Sequence, residues 1–181
     1  MPIVGQSTLF VISIAIDSST PSITIEKAPA CATATASSTI EFLTQRGIPV
    51  MGHVGLTPQA VNILGGYGVR GKSEEEARSI VEDAVAVAQA GAFSIVIEGV
   101  LESIAIEITN KVDCPTIGIG ASAQCDGQVL VTDDMLGMFD RVPKFVKRYQ
   151  DMAGVVSGAV KDYADEVRSR SFPTEDQIYA G

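Results

Sequence analysis

The stretch AGAFSIVIEGV, Ala90 to Val100, decides the fold. Gly91 stops whatever helix precedes it, because it can take the left-handed conformation that closes a helix C-terminus. Phe93 to Ile97 is then an apolar run of the kind expected of a strand buried on both faces, as in a parallel sheet. Upstream, Ser73 with Glu76 three residues later reads as a capping box. It opens a helix whose apolar stripe is Ala77, Ile80, Val81, Ala84, Val85 and Ala88. Downstream, a helix from about Leu101 to Thr109 leads to a second buried strand, Thr116 to Ile119.

The alternation extends both ways. A short helix from roughly Ser38 to Arg46 ends at Gly47, and Ile48 to Met51 reads as a strand running into Gly52-His53. Thr57-Pro58 supplies an N-cap and a first-turn proline for a short helical segment. Asp126-Gly127 turns the chain into a strand from Gln128 to Thr132, and helices over Pro143–Gln150 and Val155–Arg168 follow. Strands alternating with helices predict an α/β fold with a parallel sheet, open or closed into a (β/α) barrel.

Composition changes near residue 40. Earlier, the only charged residues are Asp17, Glu26 and Lys27, and Ala28 to Thr39 is nearly all Ala, Ser and Thr. Leu9–Ile16 and Ser22–Ile25 read as strands, and Cys31–Thr39 as loop. The expected organisation is therefore an atypical leader over 1–39 and a regular α/β region over 40–181.

With 46% hydrophobic and 19% charged residues, the chain has the composition of a folded domain rather than a disordered one. A net charge of −9 sets it against general nucleic-acid binding, since nothing offsets phosphate repulsion. Lys144, Lys147 and Arg148 read as the solvated face of a helix. The three cysteines form no CxxC pair and no metal-ligand spacing with the lone histidine, which points to reduced cytoplasmic thiols. Leu9–Ile16 falls short of the ~20 residues that cross a bilayer, so a cytoplasmic protein without a membrane span is expected.

Two motifs compete for function. Gly66 to Ser73, GYGVRGKS, fits the phosphate-loop pattern G-x-x-x-x-G-K-[ST]. Glu74, Glu75 and Glu76, however, crowd the helix N-terminus where phosphates would sit. A glycine-rich loop near a site is the favoured reading, with a P-loop nucleotide-binding protein as the rival. The second candidate is Glu98, at the C-terminal end of a buried strand, where α/β folds place their ligand crevices. It is either a general base or a cap for the next helix; position alone leaves both open. His53 stands at the corresponding end of its own strand, as a packed residue or as a partner of Glu98. In Gly118 to Ser122, GIGAS, the glycines fit a tight turn better than a ligand approach.

These stretches resemble, in order, the ketopantoate hydroxymethyltransferase family. The matching pieces are IPVMGHVGLTPQAVN (Ile48–Asn62), GGYGVRGK (Gly65–Lys72), AGAFSIVIEGV, CPTIGIGAS, CDGQVLV and PKFVKRY (Pro143–Tyr149). The resemblance implies a (β/α)8 TIM-type barrel of the phosphoenolpyruvate-pyruvate group, truncated here on its N-terminal side. It implies transfer of a hydroxymethyl group from 5,10-methylenetetrahydrofolate to 3-methyl-2-oxobutanoate, giving ketopantoate for pantothenate biosynthesis. It also implies magnesium, a homo-oligomer, Glu98 as proton acceptor and His53 lining the keto-acid site. The family's two metal-binding aspartate segments have no match here. Asp17-Ser18 has the letters without the surroundings, and Glu26 in Ile23-Thr-Ile-Glu26 is a faint echo of a metal-side glutamate. A non-enzymatic remnant is therefore a further alternative to the enzyme.

Overall fold

A computed structural model describes residues 32–56 and 68–179. The predicted strands Leu9–Ile16 and Ser22–Ile25, the Thr57-Pro58 helix start, Asp17 and Glu26 lie outside the described residues. The chain divides into two compact units between Leu130 and Val131.

The first unit is a βα alternation. Helix α1 (Ala32–Thr44) precedes strand β1 (Met51–Gly55); helix α2 (Glu74–Gln89) precedes β2 (Ser94–Glu98); helix α3 (Glu102–Lys111) precedes β3 (Thr116–Ile119). A two-residue strand, β4 (Gly127–Gln128), completes a four-stranded sheet in the order β1-β2-β3-β4, every neighbouring pair parallel. Sequential parallel order, with helical crossovers from β1 to β2 and from β2 to β3, is the construction of a (β/α) barrel wall.

Burial alternates along the strands. Val54, Ile95 and Ile97 face α2 and α3 and form the core with Ile80, Val81, Ala84, Ile104, Ala105 and Ile108. The other face carries Met51, His53, Val96, Glu98 and Ile119, all only partly buried. The expectation that β2 is buried on both faces is thus corrected: Phe93 lies outside the strand and is 51% exposed, and Val96 and Glu98 on the second face are only partly buried. A methyl group at Gly52 would run into Val87 Cγ1, so glycine is what lets α2 lie close against β1.

Several boundaries differ from expectation. Helix α1 starts at Ala32, where a loop was expected, because alanine is the strongest helix former and sustains a helix without an apolar stripe. Strand β1 begins at Met51 rather than Ile48, since Pro49 has no N–H for the ladder; Phe93 N–H meets the Val50 carbonyl at 3.0 Å, and regular pairing begins one residue later. The predicted strand Gln128–Thr132 ends at Gln128. Val131 and Thr132 instead accept from Met135 and Leu136, which closes a helical turn.

In the second unit, a short helix α4 (Thr132–Met135) precedes the long helix α5 (Met152–Ser169), and Glu175–Gln177 forms a 3-10 turn. The helix expected over Pro143–Gln150 is absent. Tyr149 N–H pairs with the Met135 carbonyl at 2.7 Å instead of a carbonyl four residues back. Lys144, Lys147 and Arg148 are exposed as expected, but on an irregular segment. No helix among the described residues is long and apolar enough to cross a membrane.

Candidate functional site

Glu98 is the last residue of β2, paired in register with Gly55 on β1 and Ile119 on β3. It therefore sits inside the strand end rather than just past it, as does His53, the third residue of β1. His53 pairs with Val96, two residues before Glu98, so both side chains project from the sheet face opposite the helices.

The two meet there. His53 Nε2 lies 3.1 Å from Glu98 Oε2, with the side chains 15% and 19% exposed. Nε2 is buried and forms no well-angled hydrogen bond, so the contact is one of proximity. The capping alternative for Glu98 does not fit: Leu101 is the N-cap of α3, and the Glu98 carboxylate bonds no α3 backbone N–H.

The Glu98 peptide is fixed from three sides. Its carbonyl accepts the Leu56 N–H at 2.8 Å, and the following Gly99 N–H donates to the Ile119 carbonyl at 2.9 Å. From the third side, Arg70 N–H donates to the Gly99 carbonyl at 2.8 Å, and the Arg70 carbonyl accepts from Leu101 at 3.2 Å. Gly55, at φ +93°, is required at the neighbouring position, because a Cβ would strike the Glu98 carbonyl oxygen and Val100.

The glycine-rich segment is described from Gly68 onward. Ser73 caps α2 by accepting the Glu76 N–H at 3.2 Å, but Glu76 does not return the bond. Its carboxylate reaches outward to the N–H groups of Gly71 (2.9 Å) and Lys72 (3.2 Å) and pairs with Arg70 at 2.6 Å. The capping box is therefore half formed. The same bonds tell against a phosphate loop, since two N–H donors that would cradle a phosphate already hold a carboxylate. Arg70 was not singled out from the sequence, and Glu76 was expected only as a capping-box acid at the helix N-terminus; the signal for their pairing was an Arg beside the glycines and a Glu at the third helical position.

The Gly118–Ser122 stretch proves to be strand and turn. Gly120 has φ +62°, and a Cβ at Gly118 would meet the Gln128 amide, which donates to the Ser122 carbonyl at 2.7 Å. Among the described residues, no group of three or more His, Cys, Asp or Glu side chains is placed to hold a metal ion.

Comparison with known proteins places the chain in a family. The family model described as ketopantoate hydroxymethyltransferase matches residues 16–175. A 3-methyl-2-oxobutanoate hydroxymethyltransferase of Sphingopyxis alaskensis is 97% identical over 143 residues, 79% of this chain and 50% of the relative. Proteins of the same name from Novosphingobium aromaticivorans and Erythrobacter litoralis are 72% and 67% identical over 141 residues, 78% of this chain and 49% of each relative. The chain spans about half the length of the curated relatives it matches. The family's TIM-barrel fold accounts for the parallel βα order, and the chain belongs to the ketopantoate hydroxymethyltransferase family.

Proposed function

We propose that this chain takes part in hydroxymethyl transfer from 5,10-methylenetetrahydrofolate to 3-methyl-2-oxobutanoate, giving ketopantoate, with Glu98 as the proton acceptor. The observation that carries the reading is the His53–Glu98 pair, 3.1 Å apart at a parallel strand end in a chain of this family. Removing the proton from the carbon next to the keto group requires a carboxylate held at a fixed position, and a strand-end residue anchored on three sides provides that. The resulting carbanion then forms the new carbon–carbon bond to the folate-borne methylene carbon, whose two bonds to folate nitrogens break; water supplies the hydroxyl oxygen and tetrahydrofolate leaves carrying the protons. His53, alongside, orients the carboxylate and lines the keto-acid site.

Magnesium belongs to the proposed reaction through the family likeness. The described residues do not by themselves build its site, and the His53–Glu98 pair is not assigned to it as a ligand set. Glu26, the candidate from the sequence, lies outside the described residues. A cytoplasmic homo-oligomer acting on small molecules completes the proposal.

Thermal shift tests it against the nucleotide rival. A ligand that binds only the folded state stabilises it by about 2.7 kcal/mol at a hundredfold excess over its Kd. Magnesium with 3-methyl-2-oxobutanoate is expected to raise Tm, and magnesium with ATP is not. A rise with ATP alone contradicts the proposal.

A further inference from the structure

We infer that Arg70 and Glu76 are positioning residues for Glu98, acting as a brace that holds the strand end carrying it; the inference rests on the proposed role of Glu98. The backbone supplies the first part of the case. Arg70 pairs with Val100 as an isolated parallel bridge, so its peptide extends the sheet beyond the point where β2 ends. Through Gly99 and Leu101 it grips the two residues that flank Val100, immediately after Glu98. The Leu56 N–H bond to the Glu98 carbonyl closes the same turn from the β1 side.

The side chains supply the second part. Glu74 and Glu75 are exposed, whereas Glu76 is partly buried and engages three donors at once: the Arg70 guanidinium and the Gly71 and Lys72 N–H groups. An acid at the third helical position would ordinarily turn back to the N-cap N–H. Here it gives up that bond and holds the incoming segment, the choice expected if the position of that segment matters. The segment is also wedged on its far side. Gly71 has φ +82°, and a Cβ there would collide with Ile104 of α3. Arg70, Gly71 and Lys72 are thus fixed to α2 through Glu76, to α3 by packing and to the strand end by two backbone bonds. Removing the Glu76 carboxylate leaves a partly buried guanidinium and two N–H groups without their acceptor, and the Arg70 peptide loses its support.

Amide hydrogen exchange followed by NMR on the full chain reads this without requiring turnover. In Glu76→Ala, the Leu56 and Leu101 amides are expected to exchange roughly ten- to a hundredfold faster, the factor associated with losing a charged hydrogen bond. The amides of Ile95 and Ile97 within β2 and of Ile108 in α3 stay at their wild-type rates. Glu76→Gln, which keeps an acceptor for the two N–H groups, recovers part of the protection, and Arg70→Lys, which keeps the charge, does the same relative to Arg70→Ala. Wild-type exchange at Leu56 and Leu101 in Glu76→Ala overturns the inference, as does a uniform rise through β2 and α3, which would mean general stabilisation only. In the keto-acid reaction, Glu76→Ala lowers kcat about tenfold with KM within about twofold. A wild-type chain without turnover would count against the proposed function while leaving the exchange result to decide the brace.

Discussion

The two units of the chain contrast in how their helices are held. In the first, α2 and α3 bury Ile80, Val81, Ala84, Ile104, Ala105 and Ile108 against Ile95 and Ile97 of the sheet. In the second, α5 runs for 18 residues and none of them is buried. Its supports lie at the surface: Asp151 accepts the Gly154 N–H and the Leu136 carbonyl accepts the Met152 N–H at the N-terminus, Asp165 pairs with Lys161 and Arg168, Tyr163 meets Phe172 edge-on, and Arg170 closes the C-terminus in the left-handed conformation. One unit is built by tertiary packing and the other helix by propensity and caps, and the candidate site lies on the packed side. A carboxylate must be held to within a fraction of an ångström to serve as a base, and packing provides that where exposed local bonds do not.

The contrast can be broken by substitution. Ile108→Ala should cost about 2–5 kcal/mol in urea unfolding, since it removes a fully buried side chain, whereas Val160→Ala on α5 should stay within about 0.5 kcal/mol. Equal losses would erase the distinction. Gly55→Ala is next, at about 1–3 kcal/mol, because it combines a left-handed backbone with a collision at the Glu98 carbonyl. Its effect on keto-acid turnover should exceed its effect on stability, and a neutral result would show the contact between the ends of β1 and β2 to be more yielding than described. Asp151→Ala should lower the helicity of α5 by circular dichroism and cost about 1 kcal/mol, with no change in the amide protection of β2. The smallest effect concerns Cys114, whose thiol is held above its ordinary pKa chiefly by burial, with Asp113 and Asp126 adding to it and a backbone hydrogen bond opposing. The reactive form is the thiolate, so alkylation of Cys114 should rise to its plateau at higher pH than that of free cysteine. A midpoint below the free thiol would contradict the burial.

The same contrast explains what was legible in the residues. Where a side chain's periodicity reflects a packed face, as in the stripe Ala77 to Ala88 or the strand Thr116–Ile119, element and position were both readable. Glu98 and His53 were readable as strand-end residues, although both lie inside their strands. The misplacements came where backbone donors decide: Pro49 delayed β1, Val131 and Thr132 turned a strand into a helical turn, and Tyr149 bonded to Met135 rather than continuing a helix. The Arg70–Glu76 brace was invisible for a related reason. It depends on a tertiary choice of acceptor, and the local pattern around Ser73 pointed to the ordinary capping box instead.

The role of Glu98 is tested most directly by proton exchange at the reacting carbon. With magnesium present, 3-methyl-2-oxobutanoate in deuterium oxide should lose its C3 proton signal in the presence of the chain, and Glu98→Gln should slow that loss by about 10²–10⁴-fold while the fold, followed by circular dichroism, is kept. Exchange at the wild-type rate in Glu98→Gln would contradict the assignment of Glu98 as the proton acceptor.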